Sequence, residues 1–106
     1  MKILLDECLP KKLKFLLNDF ETKTATEMGW SSLRNGDLIK AAIENHFDVF
    51  LTIDKNIEHQ QNLKSYKISI VIFDVRRSKI EFMNPLIPKF IKKIDSFEKG
   101  KAYLLS

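Results

Sequence analysis

Apolar residues along the chain fall into two patterns: short unbroken runs, and stripes spaced three and four apart. The first suits strands buried on both faces, the second helices with one face inward. Residues 2–5 form the first run, rich enough in branched side chains for a buried strand. Pro10 follows closely and suits a first helical turn. Leu9, Leu13, Leu16 and Leu17 then share one face, with Lys11, Lys12 and Lys14 mostly outward. Residues 22–25, with two threonines, read as a second strand, and 29–36 as a loop. Asp37 opens a helix whose apolar face is Leu38, Ala41, Ala42 and Ile43.

Residues 48–53 are the clearest strand, apolar on both faces as at the centre of a parallel sheet. The polar stretch 55–63 predicts a short helix, and 68–73 another β-branched buried strand. Pro85 and Pro88 stand at the entrance of a last helix, with Phe90, Ile91, Ile94 and Phe97 inward. Gly100 ends it, and 102–105 adds an edge strand. Strands alternating with helices predict an α/β fold with a mainly parallel sheet and right-handed crossovers. With 106 residues the chain fits one domain, 1–106.

Composition narrows the setting. A 44% hydrophobic, 30% charged chain is ordinary for a globular domain. One cysteine, no signal-peptide core in MKILLDE and no apolar run of membrane-spanning length predict a reduced cytoplasmic setting and no membrane partner. The net charge of +4 permits a nucleic-acid partner without requiring one. No glycine-rich phosphate loop is present, His46 and His59 lack zinc-site spacing, and Cys8 has no obvious partner. Both histidines read as solvent-facing.

Candidate chemistry lies where parallel sheets bind ligands, at the carboxyl ends of strands. Asp6 and Glu7 follow the first strand, Asp54 follows the central one, and Asp37 opens a helix that reaches the same rim. Two or three carboxylates with water suit a hard divalent cation such as Mg²⁺ or Mn²⁺. Such an ion lowers the pKa of water and stabilises charge on a phosphate under attack. Each acid also has a plain structural role, Asp37 and Asp54 as helix N-caps and Asp6 toward loop N–H groups. Thr52 is placed to hydrogen-bond and orient Asp54. Arg76 and Arg77 follow a later strand and could hold phosphates, as could Lys11, Lys12 and Lys14, whose commoner role is a solvated helix face. Lys92 and Lys93 read as solubilising. Trp30, Phe82 and Met83 read equally as partner contacts or core edges.

The segments MKILLDECLP, TATEMGWSSLRNGDLIKAA and DVFLTIDKNIEHQQNL, in this order, resemble the PIN-like family of small prokaryotic proteins. Many of its members are regarded as VapC-like toxins of type II toxin–antitoxin systems. The resemblance covers about residues 1–75. It implies a three-layer α/β/α PIN-like sandwich and Mg- or Mn-dependent ribonuclease activity. Asp6, Asp37 and Asp54 would be catalytic and metal-binding, with Glu7 an extra ligand and Thr52 and Asn56 on the substrate side or behind the ligands; Arg76 and Arg77, just beyond this span, keep the phosphate-holding role read from their position. The implied partners are an RNA substrate and a cognate antitoxin, with a twofold homodimer as the default state. The chain is shorter than a typical PIN nuclease and lacks a clear fourth acid, for which Asp74 is the candidate. That departure leaves room for a catalytically weak or inactive module that binds a partner protein or nucleic acid.

Overall fold

Five short strands, β1 (Lys2–Leu5), β2 (Glu21–Thr24), β3 (Val49–Thr52), β4 (Ser69–Phe73) and β5 (Ala102–Leu105), form one all-parallel sheet in the order β2-β1-β3-β4-β5. These come from a computed structural model that describes residues 1–59 and 63–106. The three central strands are apolar apart from Lys2, Thr52 and Ser69 at their ends, because both of their faces are covered. Every residue of β3 and β4 is buried, as the unbroken runs predict. Ile3, Leu5, Val49, Leu51, Val71 and Phe73 feed one core; Leu4, Phe50, Ile70 and Ile72 feed the other.

Helices α1 (Leu13–Leu16), α3 (Ile80–Met83) and α4 (Leu86–Lys93) supply the first core, through Leu13, Leu17, Met83, Leu86, Phe90 and Ile94. Helix α2 (Asn35–Glu44) supplies the second through Leu38, Ile39 and Ala42. Apolar clusters on both faces make an α/β architecture compatible with a three-layer sandwich.

The crossovers are not all of one hand. From β2 to β3, β3 to β4 and β4 to β5 the chain steps the same way across the sheet, whereas β1 to β2 steps back. A crossover of fixed hand changes face when the step reverses, so α1 on one face agrees with α2 and Ile57 on the other. The α3–α4 connection lies on the α1 face and therefore has the opposite hand. Phe73, Phe90, Phe97 and Tyr103 hold it there, with ring centroids 4.8–5.9 Å apart. The expectation of uniformly right-handed crossovers fails at this step. On the other face of β5, Leu104 is left 53% exposed.

Several element expectations need correction. The first helix is a single turn, not an extended one from Pro10, and Leu16 is exposed rather than inward. Helix α2 begins at Asn35, two residues before Asp37, which lies in its first turn and is not its N-cap. The short helix expected over 55–63 is two 3-10 turns, Lys55–His59 and Leu63–Ser65; residues 60–62 and the His59 side chain lie outside the described residues. Helix α3 escapes the sequence pattern, because Ile80-Glu81-Phe82-Met83 is too short to show a period. Ile91, expected inward, is 37% exposed, and α4 ends at Lys93, well before Gly100. Met83 is fully buried and Trp30, partly buried, packs edge-on to Phe47 at 6.0 Å at the edge of the core, whereas Phe82 is exposed.

Helix α2 closes with a doubly hydrogen-bonded cap. The Phe47 N–H reaches the Ala42 carbonyl at 2.9 Å and the His46 N–H the Ile43 carbonyl at 3.0 Å, with exposed His46 at φ 64°. Glycine adopts that conformation without Cβ strain. His46→Gly should therefore stabilise the fold by about 0.5–1 kcal/mol, read as a higher urea midpoint at unchanged slope.

Candidate functional site

The strand order reverses between β1 and β3, which makes the carboxyl ends of these two neighbours the switch point of the sheet. The β1 chain runs past its last paired residue so that the Asp6 N–H still meets the Leu51 carbonyl, at 3.0 Å. Across from it stands Thr52, the last residue of β3, with no solvent exposure. A buried hydroxyl needs partners, and Thr52 has them on both sides. Its Oγ1 donates to Asp6 Oδ2 at 2.7 Å and accepts the Asp54 N–H at 3.1 Å. One hydroxyl thus joins the acid after β1 to the backbone of the acid after β3.

Asp54 has a structural task as well. Its Oδ1 accepts the Asn56 N–H at 3.0 Å and its carbonyl the Ile57 N–H at 3.3 Å, starting the 3-10 turn. The capping role read from sequence for Asp54 is therefore real. Thr52 meets Asp54 as expected, but at its backbone, and gives its proton to Asp6. Asn56 enters through its main chain.

Cys8 adjoins the same hydroxyl, with Sγ 3.8 Å from Thr52 Oγ1. Burial of its surroundings and, next, the Asp6 charge push the Cys8 thiol above its ordinary range. Raising a thiol pKa favours the neutral, unreactive form. At pH 8 iodoacetamide should label native Cys8 more slowly than the unfolded chain. Asp6→Asn removes the repelling charge and should speed native labelling at least about twofold, read by mass spectrometry.

The other expected acids are placed differently. Glu7 is exposed beside Asp6, and Asp37 is exposed in the first turn of α2. Asp74, the candidate fourth acid, follows β4 and is ion-paired at 2.6 Å with Lys55. Among the described residues, no three His, Cys, Asp or Glu side chains group together as a metal-ligand set. Asp6, Glu7, Asp37 and Asp54 are therefore not gathered into one cluster. Magnesium, however, is commonly held by one or two carboxylates, with water and substrate phosphate completing its shell. Asp6 and Asp54 are the two acids that flank the switch point.

A cleft of about 620 Å³ opens beside Asp6, between α1 and the ends of β1 and β2. Its walls include Glu7, Lys11, Phe15, Thr24 and Glu27. Lys14, expected to point outward, instead reaches Glu27 at 2.8 Å and holds that carboxyl below its usual range. On the other side of the rim Arg76 and Arg77 are exposed after β4, and the Ser78 hydroxyl donates to the Cys8 carbonyl. The chain matches no family model, no curated protein and no solved structure.

Sequence reasoning missed Phe15, Thr24 and Glu27 in the cleft, and Lys55 as the partner of Asp74. Lys55 directly follows Asp54, which is a usable signal. Nothing in the local pattern distinguishes Phe15 from a core residue of a leucine-rich helix. Among the described residues, no helix is long and apolar enough to cross a membrane.

Proposed function

We propose that this chain is a PIN-like, Mg- or Mn-dependent endoribonuclease that acts as the toxin of a toxin–antitoxin pair. The observation that carries the reading is the Asp6–Thr52–Asp54 linkage at the switch point of the sheet. The resemblance of residues 1–75 to PIN-like proteins is in line with it. Asp6 and Asp54 would hold the cation, with water and an RNA phosphate as its remaining ligands. When bound, such an ion supplies charge stabilisation at the phosphate and lowers the pKa of its water.

The protein's own groups perform the positioning. Thr52 keeps one Asp6 oxygen directed along a fixed line, so the carboxylate presents its other oxygen without searching rotamers. The Asn56 N–H fixes the position of Asp54 Oδ1. Arg76 and Arg77 stand on this rim as phosphate partners. A cognate antitoxin would silence the site by covering it.

The test is calorimetric titration with Mn²⁺, beside cleavage of a labelled RNA. The Asp6→Asn/Asp54→Asn variant keeps an oxygen acceptor for Thr52 and an N-cap for the 3-10 turn, so it should fold. It should bind no Mn²⁺ and leave the RNA intact. Thr52→Val, which removes only the hydroxyl, should weaken Mn²⁺ binding about 10- to 100-fold. Metal binding and cleavage that survive in the double variant would refute the proposal.

A second reading has its own observation, the lack of a three-ligand acidic group among the described residues. On that reading the module is weakly active or inactive and works by binding a protein or nucleic acid. A folded wild type that neither binds Mn²⁺ nor cleaves RNA, yet co-purifies with a partner, would favour it.

A further inference from the structure

The charge of this protein is strongly uneven across the sheet. Residues 9–20 and 75–96 build the layer of α1, α3 and α4 on one face. They hold nine of the 18 basic residues but only three of the 14 acids. This layer is thus net +6 in a chain of net +4, and everything else is net −2. A mild overall charge conceals a concentrated one.

Two sets of contacts connect this basic layer to the acid rim. The Ser78 hydroxyl donates to the Cys8 carbonyl, which draws Arg76, Arg77 and Lys79 toward the Lys11–Lys12 end of α1. Leu9, Leu13 and Leu17 share one core with Met83, Leu86 and Phe90, which keeps α1 beside α3 and α4. Lys11 lines the cleft with Asp6, and the Ser78 contact ties the Arg76–Lys79 segment to the chain two residues beyond Asp6. On the same layer Phe15 is 70% exposed and lines the cleft that opens on Asp6.

Resting on the ribonuclease reading, we infer that this layer is the track for the backbone of a single-stranded RNA, with one base seated in the cleft against Phe15. The polarity fits a polyanion, since phosphates neutralised by Lys and Arg release counterions. The exposed ring fits a strand whose bases are unpaired, because only a splayed base can offer its face to an aromatic side chain. Arg76 and Arg77 sit where the track meets the rim. Phosphates entering there are led to Asp6 and Asp54. The exposed Glu7 carboxylate on the cleft wall repels phosphate and can accept a hydrogen bond from a base amino group, so the cleft takes the base and the outer layer takes the backbone.

The test is fluorescence anisotropy with a labelled single-stranded RNA of about 12 nucleotides, titrated in EDTA at several salt concentrations. EDTA removes any dependence on the metal, so binding is read separately from cleavage. The Lys11→Gln/Lys12→Gln/Arg76→Gln/Arg77→Gln variant should bind at least about tenfold more weakly. Its salt dependence should be shallower by about 0.7 for each phosphate it no longer neutralises. Lys40→Gln/Lys64→Gln/Lys67→Gln, which removes three charges outside this layer, should change little. Phe15→Ala should weaken single-stranded binding about fivefold or more and leave a duplex of equal length unaffected.

Equal losses in both charge variants would overturn the track, and an unchanged Phe15→Ala would overturn the base seat. Binding to vesicles containing about 30% phosphatidylserine but not to RNA would assign the layer to a membrane surface and refute the inference. RNA bound through this layer by a protein that binds no Mn²⁺ and cleaves nothing would sustain the track while removing the nuclease reading.

Discussion

Phe90→Ala should destabilise the protein by about 3–5 kcal/mol, the largest loss expected from one side chain. Phe90 has no solvent exposure and stands edge-on to Phe73 of β4, with ring centroids 5.9 Å apart and planes at 84°. It also meets Phe97, which in turn stacks on Tyr103 of β5 at 4.8 Å. These rings fix the one crossover whose hand opposes the others. Truncation leaves a cavity between α4 and the sheet and removes the ring that seats β5. A domain of this size has about 5–15 kcal/mol of stability in all. The melting temperature should therefore fall by roughly 15–30 °C, read by circular dichroism. Ile91→Ala, one residue along the same helix and 37% exposed, should cost under about 1 kcal/mol. Similar losses from the two substitutions would mean that α4 does not pack as described.

Gly100→Ala should cost about 2–4 kcal/mol, although it adds a single methyl group. Gly100 has φ +80° before β5, and a Cβ there would lie 2.9 Å from the Lys64 carbonyl oxygen and 3.4 Å from its carbon. Main chain cannot give way as a flexible side chain can. The Gly100 N–H also holds the Ile68 carbonyl at 2.9 Å, so the turn cannot swing aside without breaking that bond. Gly29 is the internal control, with φ +78° and open space around its Cβ position. Gly29→Ala should show only the conformational part, about 1 kcal/mol. A urea midpoint for Gly100→Ala no lower than that for Gly29→Ala would remove the steric argument.

Much of the fold is legible in the chain because its strands are covered on both sides. Buried parallel strands read as unbroken apolar runs, and all five expected strands appear within a residue or so of where the runs place them. The helices read less well. With α1 a single turn and α3 of four residues, neither is long enough to show a period, and Leu16 and Ile91 lie on faces that a longer, regular helix would have buried. Gly100 reads as a helix stop because glycines commonly end helices. Its real task is to pass close to Lys64, a neighbour 36 positions away in the chain that no local pattern could indicate.

The candidate site divides along the same line. Acids after the first and central strands, and a threonine two residues before Asp54, are visible in MKILLDE and FLTIDK. Parallel strands expose their carboxyl ends on one rim, so local pattern alone determined that Asp6 and Asp54 stand there. Tertiary structure decided the rest. Only the strand order made β1 and β3 neighbours, and only their register set Thr52 against Asp6, 46 residues away. Packing likewise turned Lys14 toward Glu27, joined Lys55 to Asp74, and drew Ser78 to Cys8. The physical reason is range: periodicity and capping act within one or two turns of chain. Which acids share a hydroxyl, and which cations share a face, depends on contacts that form only when distant segments pack.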